Sequence, residues 1–322
     1  TGNIVTSNYW WGILLGEASN NRLTNNTFVN NGLFVTNSFG STVTDNTVND
    51  KPLVYREDVS DESITEAGQV ILVNCDNFTV ENLAILNADV CVELWGTDNS
   101  TITNITSSAG YNDYGIYLAE SCNNALTANT FSHAYNGIVL DHSSNNNNLT
   151  GNNASDNPGP GFALFYSSNN TLTNNTANLN WNQGIYLKSS SNNTLTNNTA
   201  NSNDIGGIYL VDSSSNNSIT NNTANSNTNH GIYLDLSSSN NLTGNNATNN
   251  DNGIHLNGSR GNTLVGNNCS GNDGAGIYLI CSSDNNELLD NFCNGNSWIG
   301  IVLSSGDNNL LSRNTCTENN LG

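Results

Sequence analysis

Apolar positions recur along this chain in one short phrase. It reads Gly184-Ile185-Tyr186-Leu187, Gly207-Ile208-Tyr209-Leu210, Gly231-Ile232-Tyr233-Leu234, Gly253-Ile254-His255-Leu256 and Gly276-Ile277-Tyr278-Leu279. With the isoleucine as anchor, the series is Ile13, Leu33, Val70, Val92, Ile116, Ile138, Phe162, Ile185, Ile208, Ile232, Ile254, Ile277 and Ile301. Most steps are 22 to 24 residues; the first is 20, and Leu33 to Val70 is 37. A fixed period in this range is the mark of a solenoid.

Within one repeat, Ile185 and Leu187 alternate with Tyr186, so the aliphatic pair faces one way and the tyrosine the other, as in a strand. Ser189-Ser190-Ser191-Asn192-Asn193 reads as a turn. Leu195 then supplies a second apolar anchor and Ala200 a third, with equivalents in nearly every repeat. Three inward segments per coil predict an all-β chain: a single-stranded parallel β-helix of about thirteen coils, three short strands each. Nothing in the unit supplies the helix of a leucine-rich repeat.

Asparagine follows the second anchor by three residues (Asn129, Asn152, Asn175, Asn198, Asn222, Asn245) and precedes it by two (Asn170, Asn193, Asn217, Asn240). Stacked coils bring such amides about 4.8 Å apart, so each can donate to one neighbour and accept from the other. These rows are read as structural.

Composition narrows the partners. Six Lys+Arg against 27 Asp+Glu give a formal net charge of −21. That charge repels phosphate backbones and excludes nucleic acid; it also disfavours anionic polysaccharides unless a cation bridges. No membrane-spanning run is present. Both ends fall inside a repeat, so residues 1–322 are read as one β-helix, a fragment of a longer repeat protein, with covalent continuation or head-to-tail self-association beyond Gly322.

The 37-residue step holds a segment, 49–68, rich in the chain's few charges: Asp50, Lys51, Arg56, Glu57, Asp58, Asp61, Glu62 and Glu66. It is read as a loop insertion projecting from the helix. Just after it stand carboxylates at matching positions of successive coils, Asp89 with Asp113 and Glu120 with Asp141, alongside Glu93, His133 and His142. Paired carboxylates at coil spacing suit glycosidic-bond chemistry, so this is the candidate catalytic cluster. A second candidate is the outward row Tyr117, Tyr186, Tyr209, Tyr233, His255 and Tyr278, whose rings can stack on sugar faces or on one another.

Of seven cysteines, Cys269, Cys293 and Cys316 share the third inward position and read as a stack of buried thiols. No Cys-x-x-Cys pair occurs, there is no Met, and the four His are scattered, so no metal site is assigned and copper is disfavoured. Calcium on turn carboxylates has no diagnostic motif behind it. No cofactor is called for.

The Gly-Ile-Tyr-Leu strands, the Asn-Asn-Thr-Leu-Thr-Asn-Asn-Thr runs and the segments Lys51–Tyr55, Gly68–Cys75 and Glu93–Thr97 resemble the parallel β-helix repeat family of secreted archaeal and bacterial proteins, in particular its NosD-like, copper-labelled group. The resemblance implies a right-handed β-helix at the cell surface or outside the cell. The leading expectation is therefore a structural scaffold, a wall, sheath or fibre component, not an enzyme. Its partners would be glycans or neighbouring surface-protein subunits, met through the tyrosine row. The alternative is a carbohydrate-active enzyme, a glycoside hydrolase or lyase, using the acidic cluster. The two differ in what should stand beside Asp89, Asp113, Glu120 and Asp141: a groove walled by the 49–68 insertion for the enzyme, a flat face with contacts to other subunits for the scaffold.

Overall fold

The computed structural model describes residues 1–107 and 112–321, with backbone alone at Asn112 and Asp113. The chain winds through about 13 turns of a parallel β-solenoid. Repeat phrases stack in register: Ile185, Tyr186 and Leu187 lie beside Ile208, Tyr209 and Leu210, and these beside Ile232, Tyr233 and Leu234. Among the described residues this face takes up twelve strands of a 15-stranded sheet, and the second anchor builds a 12-stranded one. The third face is thinner than expected. It has short strands at Thr106–Ser107, Thr130–Phe131 and Asn153–Ala154, then single bridges from Thr176 to Thr315. Asparagines at the preceding corner, such as Asn174, Asn197 and Asn221, sit at φ of 55–56°, a left-handed bend that Asn tolerates and that shortens the strand after it.

Ile185, Leu187, Leu195 and Ala200 are fully buried, as are their equivalents in the coils from Val92 to Leu288; on the last coil Leu303 and Leu311 are exposed. The small third residue explains the glycine of the phrase. A Cβ on Gly184 would lie 2.7 Å from Ala200 Cβ, and one on Gly276 2.8 Å from Cys293 Cβ, so the corner leaves no room for a side chain at the glycine. Cys269 and Cys293 continue the alanine row in the core, while Cys316 on the last coil is exposed.

The asparagine rows are hydrogen-bonded ladders. Asn198 donates its backbone N–H and its Nδ2 to Asn222 Oδ1 at 2.8 and 3.0 Å, and Asn222 does the same to Asn245 Oδ1 at 2.9 and 3.1 Å. Asn222 Nδ2 also donates to the Leu195 carbonyl at 2.9 Å. Each amide thus satisfies corner groups that would be costly if buried alone. A third ladder, running through Asn157, Asn180, Asn203, Asn227 and Asn250, was not singled out in the sequence. Neither was a serine ladder through Ser190, Ser214, Ser237 and Ser259.

Segment 49–68 is not a projecting loop. Lys51–Glu57 is a strand paired in parallel with Gln69–Val73, and Ser63–Ile64 pairs with Thr79–Glu81. Val54 lies opposite Val70 and is the anchor the pattern lacked. Its strand carries Pro52 and charged residues because it is the first of the main stack. The coils before it turn aside at Asn49 and Asp50, both at positive φ, where Thr47–Val48 meets Lys51–Pro52 in the one antiparallel pairing among the described strands.

Candidate functional site

That turn folds the first coils back against the outer face of the main sheet. Ile13–Gly16 and Leu33–Thr36 make a two-stranded sheet, and side chains cover its free edge. Leu33 N–H donates to Gln69 Oε1 at 3.0 Å, and Gln69 Nε2 donates to the Leu33 carbonyl at 2.6 Å. Val35 N–H donates to both carboxylate oxygens of Glu93 at 3.2 and 3.3 Å. Gly12 N–H donates to Asp89 Oδ2 at 2.7 Å, with Asn31 Nδ2 at 3.4 Å from Oδ1. Two long polar side chains take the place of a missing strand.

This corrects two candidate catalytic residues. Asp89 and Glu93 lie buried in the junction and cannot meet a polymer from solvent. Desolvation raises both carboxyls above their ordinary values, Glu93 well above; the backbone N–H groups they accept oppose that rise. The Asp113 side chain lies outside the described residues. His133 is not part of the cluster: it sits 3.3 Å from Asp156.

The remaining members converge just beyond the folded-back coils. Outward positions run in register from Ile71 through Glu93, Tyr117, Val139 and Ala163 to Tyr186. Tyr117 leans over its neighbouring coil, and its hydroxyl donates to Asp141 Oδ2 at 3.3 Å. His142 Nδ1 lies 3.2 Å from the same oxygen, and Asp141 Oδ1 accepts the His142 backbone N–H at 2.7 Å. The His142 ring lies 5.9 Å from that of Trp95. Glu120 is exposed on the adjacent turn, its N–H donating to the carbonyls of Asp141 and His142 at 3.4 and 3.2 Å. Burial, then the Asp141 carboxylate, pushes the Tyr117 phenol above its ordinary range. Tyr117 therefore keeps its proton, and Asp141 holds the imidazole by Nδ1, leaving Nε2 to act as a base.

Trp95 was noted in the sequence only as part of a landmark, yet it is 3% exposed with an indole N–H that has no partner. An aromatic run joins the site from the folded-back coils. Trp11 stacks on Phe34 at 5.2 Å, and Phe34 meets Tyr117 at 5.4 Å. No periodic signal marks these contacts, because they cross between stacks.

The tyrosine row faces outward, but its rings largely cover one another. Tyr209 and His255 are buried, while Tyr186, Tyr233 and Tyr278 are half-buried. Tyr233 lies 5.0 Å from Tyr209 and 5.2 Å from His255, and Tyr278 stacks on His255 at 4.9 Å. His230, unnoticed in the sequence, joins the row with Nε2 at 3.2 Å from His255 Nδ1.

Comparison with family models gives a match to the right-handed β-helix region over residues 56–177 and 90–247. It also gives a match to the periplasmic copper-binding protein NosD over residues 207–297. No curated protein matches the chain. Among solved structures it is similar to the A-module of mannuronan C-5 epimerase AlgE4 from Azotobacter vinelandii, at 15% identity and TM-score 0.63, covering 82% of this chain and 88% of that one. It is similar to the periplasmic alginate epimerase AlgG at 13% identity and TM-score 0.51, covering 97% and 76%. It is also similar to the Dettilon tailspike protein at 15% identity and TM-score 0.50, covering 73% and 62%. At this identity the likenesses show the fold. They count against the scaffold expected from the sequence, since solved proteins of this architecture include epimerases named for mannuronan and alginate.

Copper does not fit the residues present. Among the described residues no three His, Cys, Asp or Glu side chains converge. Within 207–297, Cys269 and Cys293 face the core while His230 and His255 lie on the outer face. Among the described residues no helix is long and apolar enough to cross a membrane. The strand register, the asparagine ladders and the family match over most of 56–247 agree: this chain belongs to the right-handed parallel β-helix family, with a NosD-like relationship in its later coils.

Proposed function

We propose that the chain is a carbohydrate-active enzyme whose site is the outer-face cluster Trp95, Tyr117, Glu120, Asp141 and His142. The observation that carries this reading is the Asp141 carboxylate, which receives the Tyr117 hydroxyl and the His142 imidazole on one oxygen. One carboxylate thereby positions a base at a surface beside the folded-back coils. The half-exposed His142 is placed to take a proton from a substrate or water, and the buried Tyr117, kept neutral, steadies the Asp141 carboxylate through its hydroxyl. Glu120 adds a carboxylate from the neighbouring coil. The solved neighbours named for mannuronan and alginate support a polysaccharide substrate, and the periplasmic names among the matches support a location outside the cytoplasm, with the cell surface as the finer assignment.

The test is turnover on a polysaccharide panel, read as chain shortening or as stereochemical change by NMR. Asp141→Asn and His142→Gln should each lower turnover by about 10²-fold or more with unchanged circular dichroism and thermal midpoint. Tyr117→Phe should lower it less. Activity that survives Asp141→Asn, or a panel with no turnover at all, defeats the reading.

A further inference from the structure

We infer that the polysaccharide taken by this site is neutral, held by aromatic stacking and not by ion pairs. This rests on the reading of Asp141 as the reactive centre, and it separates the chain from the mannuronan and alginate that its neighbours are named for.

Charge is the first observation. A polyuronate carries a negative charge on each sugar, and a site that holds one must supply cations. The chain has only six Lys+Arg, and each is engaged elsewhere. Arg56 pairs with Glu62, Lys188 with Asp212, Arg260 with Asp284 and Arg313 with Asp290. Lys51 Nζ donates to the Ala84 carbonyl, and Arg22 Nε to Thr24 Oγ1. Lys188, two coils beyond Asp141 on the same face, is the nearest along the register, and Asp212 holds it. Asp141 and Glu120 themselves are carboxylates on a chain of net charge −21. At physiological salt such a field reaches about 8 Å from each charge, and further at low salt.

The aromatic run is the second observation, and it is independent of the first. Tyr9 is 90% and Trp10 59% exposed. Their rings lie 5.8 Å apart, and Trp10 lies 6.3 Å from Trp11. From Trp11 the run passes through Phe34 to Tyr117, whose hydroxyl meets Asp141. The two exposed rings suit the apolar faces of pyranose rings, and the buried rings of Phe34 and Tyr117 link them to the Asp141 carboxylate.

Affinity electrophoresis and calorimetry of the whole chain decide it, with β-glucan, mannan and xylan as neutral probes and alginate and polygalacturonate as anionic ones. Each is run at low and physiological salt, with and without calcium. The neutral probes should bind, and Trp10→Ala or Tyr9→Ala should weaken them about tenfold. Neither ring belongs to the buried core, so both variants should keep the parent's unfolding midpoint. Alginate should not bind under any of these conditions. Alginate bound or converted in an Asp141-dependent way overturns the inference and leaves the catalytic reading standing. Neutral binding through Trp10 with no Asp141-dependent turnover supports the inference and removes the catalytic reading. Binding of neither class overturns both.

Discussion

Glu93 shows how one residue type can mean two things. Its place in the outward row and its carboxylate made it a candidate for chemistry. In the fold it is a fully buried acceptor for Val35 N–H, 58 residues away in sequence. Desolvation raises its carboxyl well above the ordinary 4.5, so the folded chain holds this proton to a higher pH than the unfolded chain. Its contribution to stability is therefore full below about 4.5 and is lost as pH rises toward the folded value. Glu93→Gln keeps an oxygen for Val35 and removes the charge. Denaturant unfolding at pH 5 and pH 8 should show this variant gaining stability over the parent as pH rises, on the order of 2 kcal/mol at pH 8, with turnover unchanged. A loss of stability at pH 8 would mean that the carboxylate is charged and well solvated in the junction. Asp141 and His142, by contrast, are neighbours in the sequence on a coil the period had already placed, so the contact between them needs no knowledge of how the stacks meet.

The elements were legible wherever the period held. The Ile185 and Leu195 anchors and the asparagine rows follow from spacing alone, because a parallel stack puts every equivalent residue in line. The periods did not show what lies between equivalent positions. His230 comes just before its glycine, as Tyr114 does, and was passed over because neither belongs to the row at Tyr186. It brings two imidazoles within 3.2 Å on one sheet face. Desolvation lowers both to about 4, and for His255 the neighbouring His230 adds to the lowering. The unfolded chain, with imidazoles near 6.5, binds more protons in the window from about 6.5 down to 4, so stability should fall as pH drops through it. His255→Tyr extends the tyrosine ladder between Tyr233 and Tyr278 and removes one of the two groups. Its unfolding midpoint should fall less than the parent's between pH 7 and pH 4.5. An equal fall in both would place the acid sensitivity elsewhere.

At the scale of the molecule, the sequence misled in one place. The 37-residue step is not a loop but two short steps, Leu33 to Val54 and Val54 to Val70, with the direction of stacking changed within the first, at Asn49 and Asp50. A repeat pattern carries register, not the angle between stacks, so the wall beside Asp141 could not be seen. Charge, however, is a property of the whole chain that sequence reports directly. The net −21 is spread over a stack whose equivalent positions lie about 4.8 Å apart, closer than in the unfolded chain. The ion pairs of Arg56, Lys188, Arg260 and Arg313 are exposed and contribute little against this self-repulsion. Raising NaCl shrinks the screening length from about 30 Å at 0.01 M to about 3 Å at 1 M. Screening should relieve the folded state more than the unfolded one, so the unfolding midpoint in urea at pH 7 should rise steadily with NaCl. A midpoint that falls with salt would show that the few ion pairs outweigh the repulsion among 27 carboxylates.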